Sequence, residues 1–500
     1  MEVQATIGTD VNRKHAMGDS QSTLFQPEFN GSIRVEARPE RLSADGGALL
    51  LRELMDRLGY TTMFRRHLRD PRDPARVTHT QEELVRTELL RLAQGWSAHS
   101  DLALLNRDPA LRLAVSAQRG QHALREDPRR KVQGLCSQPT LSRLLAALAI
   151  QENRAGLGAM LLESAERRMN LRRHVPEITL DLDSLPVEVF GQQPGSAWNG
   201  HYRERCYHPL LVRSEQGEFL GGKLRAGNVH TAEGGCEFVL PILRRAAAWA
   251  DRVWLRMDAG FPGPVLLDAL EAERFRYVAR LKTNAVLERL AEPHLRHTSD
   301  ADHPEKHEIL YRAESWRESR RVVLVIPHHR AAQPGLFPEH FFLLTNAPVE
   351  AMDAASLLEH YRKRGEAEKD FGDWKQSLEL ALSSTPRTKT HYRGRVLQED
   401  FKEPDSFAAN EARLLLSLLA ANLLHAGAAL LQREQTGRMS RERFRQLVLK
   451  SAARVLMSGR RITVVIEAAR APLWGRFVRE MDRLYPARGS PPARTLPTPA

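Results

Sequence analysis

The chain has 500 residues and a formal net charge of +12, and its calculated pI is near 9.9. That length exceeds one small domain and implies about two to four folding units. An ordinary hydrophobic share excludes a chain disordered overall, and the basic excess, with Arg outnumbering Lys, points to a polyanionic partner, most simply nucleic acid, unless Arg-rich coding alone inflates it.

Residues 1–40 are polar and mixed and read as a flexible leader. Residues 41–171 read as a helical, Arg-rich region, as in GGALLLRELMDRLGY and QEELVRTELLRLAQG. Within it, SQPTLSRLLAALAI offers Ser137 as N-cap, Pro139 in the first turn and an apolar face of Leu141, Leu144, Leu145 and Leu148. A short capped helix after the basic stretch LREDPRRKVQG suits contact with DNA phosphates or a groove, with Arg143 as a candidate; a plain bundle helix is the competing reading.

Near Pro176 the pattern changes. EITLDLDSLPVEVFG, HPLLVRS and GEFLGGKLRAG read as strands, TAEGGCEFVLPILRRAAAWA as a helix, DRVWLRMDAGF as a strand, GPVLLDALEAERF as a helix and RYVARLK as a fifth strand. This β-β-β-α-β-α-β order, closed by a late helix, is that of an α/β ribonuclease-H-like core: a mixed five-stranded sheet with helices, spanning 172–385. HEILYRAESWRESRRVVLVIPHH and HFFLLTNAP suggest a small antiparallel β insertion at about 290–350. Residues 386–484 read as a C-terminal helical region that includes the strongly apolar SFAANEARLLLSLLAANLLHAGAALLQ, and the Pro-rich 485–500 as a disordered tail. No run is read as long enough to cross a bilayer, and the N-terminus lacks a signal-peptide core.

The densest chemistry lies in HYRKRGEAEKDFGDWKQSL. Tyr361, Arg364, Glu368 and Lys375 are separated by two, three and six residues. At about 100° per residue they share a stripe roughly 60° wide on a single helix. Ala367, Phe371, Trp374, Leu378 and Leu382 form an apolar band beside it. A solvated face of charge pairs is the plain reading of such a stripe. The sharper one needs partner acids, and the strands supply them. Asp181 and Asp183 lie two apart on one strand and face the same side, and Asp258 ends the fourth strand at a Gly turn. Two strand acids and a helix acid suit two-metal phosphoryl transfer, with Arg364 and Lys375 available to offset phosphate charge.

With these motifs the chain resembles bacterial insertion-sequence transposases of the DDE type, in the broad IS4-like group and specifically the IS1380 family. The resemblance rests on the Tyr361, Arg364, Glu368, Lys375 spacing and on LDLDS, YHPLL, LRAGNVHTAEG, LRMDAGF and SQPTLSR, and runs from about residue 41 to 430. It implies a catalytic, metal-binding triad of Asp183, Asp258 and Glu368, with Asp181 the alternative first acid; a following Ser184 favours Asp183. It implies two Mg²⁺ ions, with Mn²⁺ able to substitute, and DNA contacts by Tyr361, Arg364 and Lys375. Trp316 in the insertion is a candidate for stacking on a base; a core Trp of that sheet is the alternative.

The implied activity is cut-and-paste transposition: binding of terminal inverted repeats in double-stranded DNA, metal-dependent strand cleavage and strand transfer, by a homodimer in the bacterial cytoplasm at the nucleoid. A catalytically inactive, transposase-derived DNA-binding protein is the alternative, and a stand-alone nuclease a third reading. LSRLLAAL lacks the acidic or amide residue expected a few positions after Arg143, which leaves end recognition open.

Other sites are weak. Cys136, Cys206 and Cys236 are far apart without a CxxC pair, which argues against a disulfide framework and fits a reducing compartment. His201, Cys206 and His208 cluster without a fourth zinc ligand. Asn228 and His230 follow a strand and are guessed to approach the acids. No GxxxxGK[ST] loop is present, so no nucleotide cofactor is expected.

Overall fold

In this computed structural model, Val175–Ser184 (β1) is the strand from which the fold is built. The structure describes residues 23–487 except 74, 76, 119, 126–133, 170–173, 296–303, 328–338, 379–381, 385–390, 393–394, 397–404 and 433–438. The remaining sheet strands are β2 (Leu210–Ser214), β3 (Phe219–Lys223), β4 (Ala250–Met257), β5 (Arg276–Leu281), β6 (Glu305–Tyr311), β7 (Arg320–Ile326) and β8 (Phe341–Thr345). Among the described residues they form one eight-stranded sheet in the order β3-β2-β1-β4-β5-β8-β7-β6. β1, β4 and β5 run parallel, and the other neighbours pair antiparallel.

The helices named below are α1 (Gln151–Met169), α2 (Gly235–Ala247), α3 (Pro264–Ala272), α4 (Ala354–Arg362), α5 (Arg364–Leu378) and α6 (Ser406–Gln432). Strand alternation divides the sheet into two faces. Leu180 and Leu182 of β1, Val253 and Leu255 of β4 and Tyr277 and Ala279 of β5 join one core with Val239 and Leu243 of α2 and Leu267 and Leu270 of α3. The opposite face carries Asp181 and Asp183, Arg213, Arg256 and Val278. α4 covers that face with Leu357 and Leu358 against Val278 and Leu343, and α5 lies over β2 and β3 through Ala367, Phe371 and Trp374. The apolar band read on α5, Leu382 included, is buried.

Five differences from the sequence reading matter. The β insertion is not a separate small sheet: β8 pairs with β5, so β6–β8 extend the central sheet. Strand pairing over some sixty residues of chain is a long-range choice that local pattern cannot reveal. Before it comes an unforeseen helix, Ala285–Leu295. The helix expected to carry all four residues of the stripe is broken at Lys363, leaving Tyr361 on α4 and Arg364, Glu368 and Lys375 on α5.

Next, the N- and C-terminal regions are not independent bodies. Residues from Ala48 to Leu161 share one hydrophobic core with α6 and with Phe444, Phe477 and Met481. Strand Leu42–Ser43 pairs with the hairpin Ala453–Ser458/Arg461–Ile466, so the region read as purely helical contains β structure. Last, α6 is long and apolar enough to cross a membrane, contrary to the reading of the sequence, but it is buried as a core helix. In the leader, Thr23–Phe25 pairs with Val35–Glu36. Residues 1–22, most of the basic stretch near 126–133 and residues 488–500 of the tail lie outside the described residues.

Candidate active site

Asp183 is the penultimate residue of β1, where the strand reaches the end of the sheet. Its Oδ1 accepts from the Ser184 N–H at 2.8 Å, and its Oδ2 accepts from Arg364 Nη2 at 2.8 Å. Arg364 is the first residue of α5 and is buried, with Nη1 donating to the Leu182 carbonyl at 3.2 Å. One guanidinium thus spans a carboxylate and the backbone beside it. Burial pushes the Asp183 carboxyl up to about 6; Arg364 and the Ser184 N–H pull it down, and Asp258 and Glu368 push it up again. Burial tends to lower the Arg364 pKa, but the Asp183 carboxylate and Tyr361 outweigh it and the guanidinium stays raised.

Asp258 directly follows β4. Because Met257 pairs with Leu182 on parallel strands, Asp258 continues beside Asp183. Its carbonyl closes the Gly turn by accepting from the Phe261 N–H at 3.2 Å. Glu368 lies one turn beyond Arg364 on α5. Both side chains are exposed, and no described group hydrogen-bonds to either carboxylate. Tyr361 is half-buried; burial, with Asp258 and Glu368 nearby, pushes its phenol up to about 12. Lys375 donates from Nζ to the Pro186 carbonyl at 2.9 Å, tying α5 to the segment that leaves β1.

Asp181 has a different setting. It is fully buried and accepts from Arg256 at 2.7 and 2.9 Å and from Arg213 at 3.1 Å. Arg213 also pairs with Asp370 of α5, and Arg441 sits 3.6 Å from Asp370 and donates to Asp373 at 2.9 Å. This buried chain of charges fastens the sheet to α5, and both Asp181 oxygens are already committed.

Trp316 does not reach an open surface. It is 7 % exposed, packs edge-on against Tyr311 at 5.4 Å and lies under the Arg320 guanidinium at 4.9 Å. The stacking expectation is therefore corrected: its ring faces are occupied by the core of the sheet. Arg143 lies on the helix Gln138–Leu148, half-buried, with Nη2 donating to Thr140 Oγ1 at 3.1 Å; burial and the Arg72 charge lower its pKa. Ser137 occupies the N-cap position but bonds with Thr140 Oγ1 at 2.9 Å instead of capping a backbone N–H.

A neighbour of the acids was not anticipated. Residues 187–207 form a small three-stranded sheet, Val187–Glu188, Ala197–Asn199 and Glu204–Tyr207, whose turn carries Tyr202. Burial raises the Tyr202 phenol, with Asp183 and Asp258 among the charges that add to it, and the loop to which Asn199 ties this turn packs on the Asp258–Gly260 turn, where a Cβ at Gly260 would stand 2.8 Å from Thr231 Cγ2. Asn199 fixes it: Oδ1 accepts from the His201 and Tyr202 N–H groups at 3.0 and 3.4 Å, and Nδ2 donates to the Gly227 carbonyl at 2.7 Å. Arg225 braces the following loop through the His208, His230, Thr231 and Glu233 carbonyls.

Among the described residues no three His, Cys, Asp or Glu side chains are gathered as a ready metal cage, His201, Cys206 and His208 included. The chemistry of the donor set nevertheless fits a hard divalent cation. Burial first, then Asp258 and Glu368, raise the Asp183 carboxyl, and no described group hydrogen-bonds to the carboxylates of those two.

Residues 25–488 match the family described as "Transposase DDE domain group 1". The chain belongs to that family. It is therefore a DDE transposase, a class of DNA-cleaving enzymes that generally use divalent metal ions. No curated protein matches the chain.

Proposed function

We propose that this DDE transposase mobilises an insertion sequence by cut-and-paste transposition, binding terminal inverted repeats and catalysing metal-dependent cleavage and strand transfer. The observation that carries the reading is the convergence of Asp183, Asp258 and Glu368 on one end of one sheet face, joined by the Arg364–Asp183 pair. The strand order β3-β2-β1-β4-β5, with β1, β4 and β5 parallel, supports a ribonuclease-H-like core. The finer assignment to the IS1380 family rests on the Tyr-Arg-Glu-Lys spacing.

Asp183, Asp258 and Glu368 would hold two Mg²⁺ ions, for which Mn²⁺ could substitute. When bound, such ions lower the pKa of an attacking hydroxyl and stabilise the leaving oxygen. The protein's own part is positional. β1 and β4 present two acids from adjacent strands, and α5, locked by the Arg213–Asp370 and Arg441–Asp373 pairs, presents the third. Arg364 balances part of the negative charge at Asp183 and fixes its rotamer. Lys375 and Tyr361 flank Glu368 on either side and suit the DNA backbone there. Asp181, with both oxygens engaged, is proposed as structural, which leaves Asp183 as the first acid. Arg143 and the basic N-terminal region supply further phosphate contacts, and a homodimer would pair the two element ends.

The test uses a supercoiled plasmid carrying the element's own flanking sequences. Strand cleavage at short inverted repeats that needs Mg²⁺ and stops with EDTA is expected. Binding of those ends without any cleavage would leave the alternative, a transposase-derived DNA-binding protein.

A further inference from the structure

The small sheet beside the acids has two unlike faces. Its inner face, with Asn199 and Cys206, lies on the 225–231 loop so closely that a Cβ at Gly227 would stand 2.1 Å from the Cys206 carbonyl oxygen. That contact and the Asn199 bond to Gly227 mount the sheet rigidly. By strand alternation the other face carries Val187 and Tyr207, buried against the main core, and at its open end Trp198 directly opposite Arg205. Trp198 is 61 % exposed and is the only exposed tryptophan among the described residues. Arg205 is also exposed, and its Nη1 is steadied by the Ser196 carbonyl at 3.0 Å and Ser196 Oγ at 3.2 Å. Glu188 and Glu204 alternate onto the face of Asn199 and Cys206, opposite to that of Trp198 and Arg205.

A lone exposed apolar side chain is ordinary. An indole and a guanidinium side by side, on a mount tied by Asn199 to the loop that packs on the Asp258–Gly260 turn, where a Cβ at Gly260 would stand 2.8 Å from Thr231 Cγ2, are a more specific arrangement. An indole face stacks on any base, and a neighbouring guanidinium takes the adjoining phosphate; that combination is how sequence-tolerant sites hold single strands. Lys375, bonded to the Pro186 carbonyl at 2.9 Å just before the small sheet's first strand, extends the positive charge toward Glu368. We propose that Trp198 and Arg205 form a platform on which an unpaired base of the DNA strand stacks beside the acidic site. The inference rests on the transposase reading and adds to it where the strand lies: over the 187–207 sheet, not on the buried Trp316.

The test compares binding of fluorescein-labelled oligo(dT)20 and of a blunt 20-base-pair duplex of scrambled sequence to the full chain, at about 150 mM salt. Trp198→Ala should weaken oligo(dT) binding about tenfold, within the range for loss of one stacked base. Trp198→Phe should stay within about threefold of the parent, and duplex binding should change less than twofold. Arg205→Gln should weaken oligo(dT) binding and make it less salt-dependent. Unchanged oligo(dT) binding by Trp198→Ala, or an equal loss on both probes, would overturn the platform. Failure of the transposase reading would appear separately, as absence of Mg²⁺-dependent cleavage by the unsubstituted chain.

Discussion

Arg364 and Asp183 form a buried, directional pair: Nη2 donates to the carboxylate at 2.8 Å while Nη1 holds the Leu182 carbonyl at 3.2 Å. Two nitrogens of one planar group serve two acceptors, which a lysine ammonium cannot reproduce. Arg364→Lys should therefore keep the charge but lose the position of Asp183. Single-turnover cleavage should fall by about 10²-fold, the order expected when a reacting group shifts by about an ångström.

The two acids of β1 should separate by phenotype. Asp181→Asn removes the charge that Arg256 and Arg213 share, leaving buried guanidiniums uncompensated. A loss of about 3–5 kcal/mol in urea denaturation is expected. Burial pushes the Asp183 carboxyl up from its ordinary 3.8 to about 6. Folding thus favours its neutral form, and the ionised carboxylate opposes stability as pH rises through that window. Asp183→Asn should cost less than Asp181→Asn in the same denaturation at pH 7.5, since it strips the carboxylate from one buried guanidinium, Arg364, and not from two, while abolishing cleavage.

His360 links α4 to the sheet and supplies a pH dependence of stability. It is buried, tilted against Trp254 with ring centroids 4.8 Å apart, and burial with the neighbouring Arg256 charge depresses its pKa from 6.5 to about 4. Between those values the unfolded chain binds more protons than the folded one, so stability rises with pH and is lost as pH falls from about 6.5 toward 4. The ceiling on the effect is about 3 kcal/mol. Melting temperatures across this range should show the slope, and His360→Phe, which preserves the ring contact, should flatten it.

Trp316→Ala should behave as a core truncation. With its ring against Tyr311 and Arg320, the substitution should cost about 3–5 kcal/mol of folding stability. DNA affinity per folded molecule, measured by anisotropy after correcting for active fraction, should not change.

Much of this arrangement was legible in the chain. The strands β1–β5 are short apolar runs bounded by Gly, Pro and charged residues, and their order survived intact. Asp183 and Asp258 were readable because strand ends and a Gly turn mark where side chains leave the sheet. The break at Lys363 left only a faint local signal, Gly365 two residues on, and a lone Gly is tolerated inside a helix. The different settings of Asp181 and Asp183 were not readable from periodicity, which puts both on one face; Arg213 and Arg256, on neighbouring strands, engage Asp181, while Arg364 engages Asp183. Trp316 and Trp198 illustrate the same limit, because exposure is decided by packing across the chain. The hairpin near Gly459 did leave a trace, in the alternation of RVLMSGRRITVV and a glycine at φ 56°, but strongly helical neighbours masked it.

The central claim is that Glu368 acts with Asp183 and Asp258 as one metal-dependent cleavage site. Its most direct test is Glu368→Gln, a nearly isosteric change at an exposed position, assayed on DNA bearing the element's ends with Mg²⁺. End binding should stay within about twofold of the parent chain and cleavage should fall to background, with Asp258→Asn on top making it no worse. Cleavage by Glu368→Gln at the parent rate would contradict it.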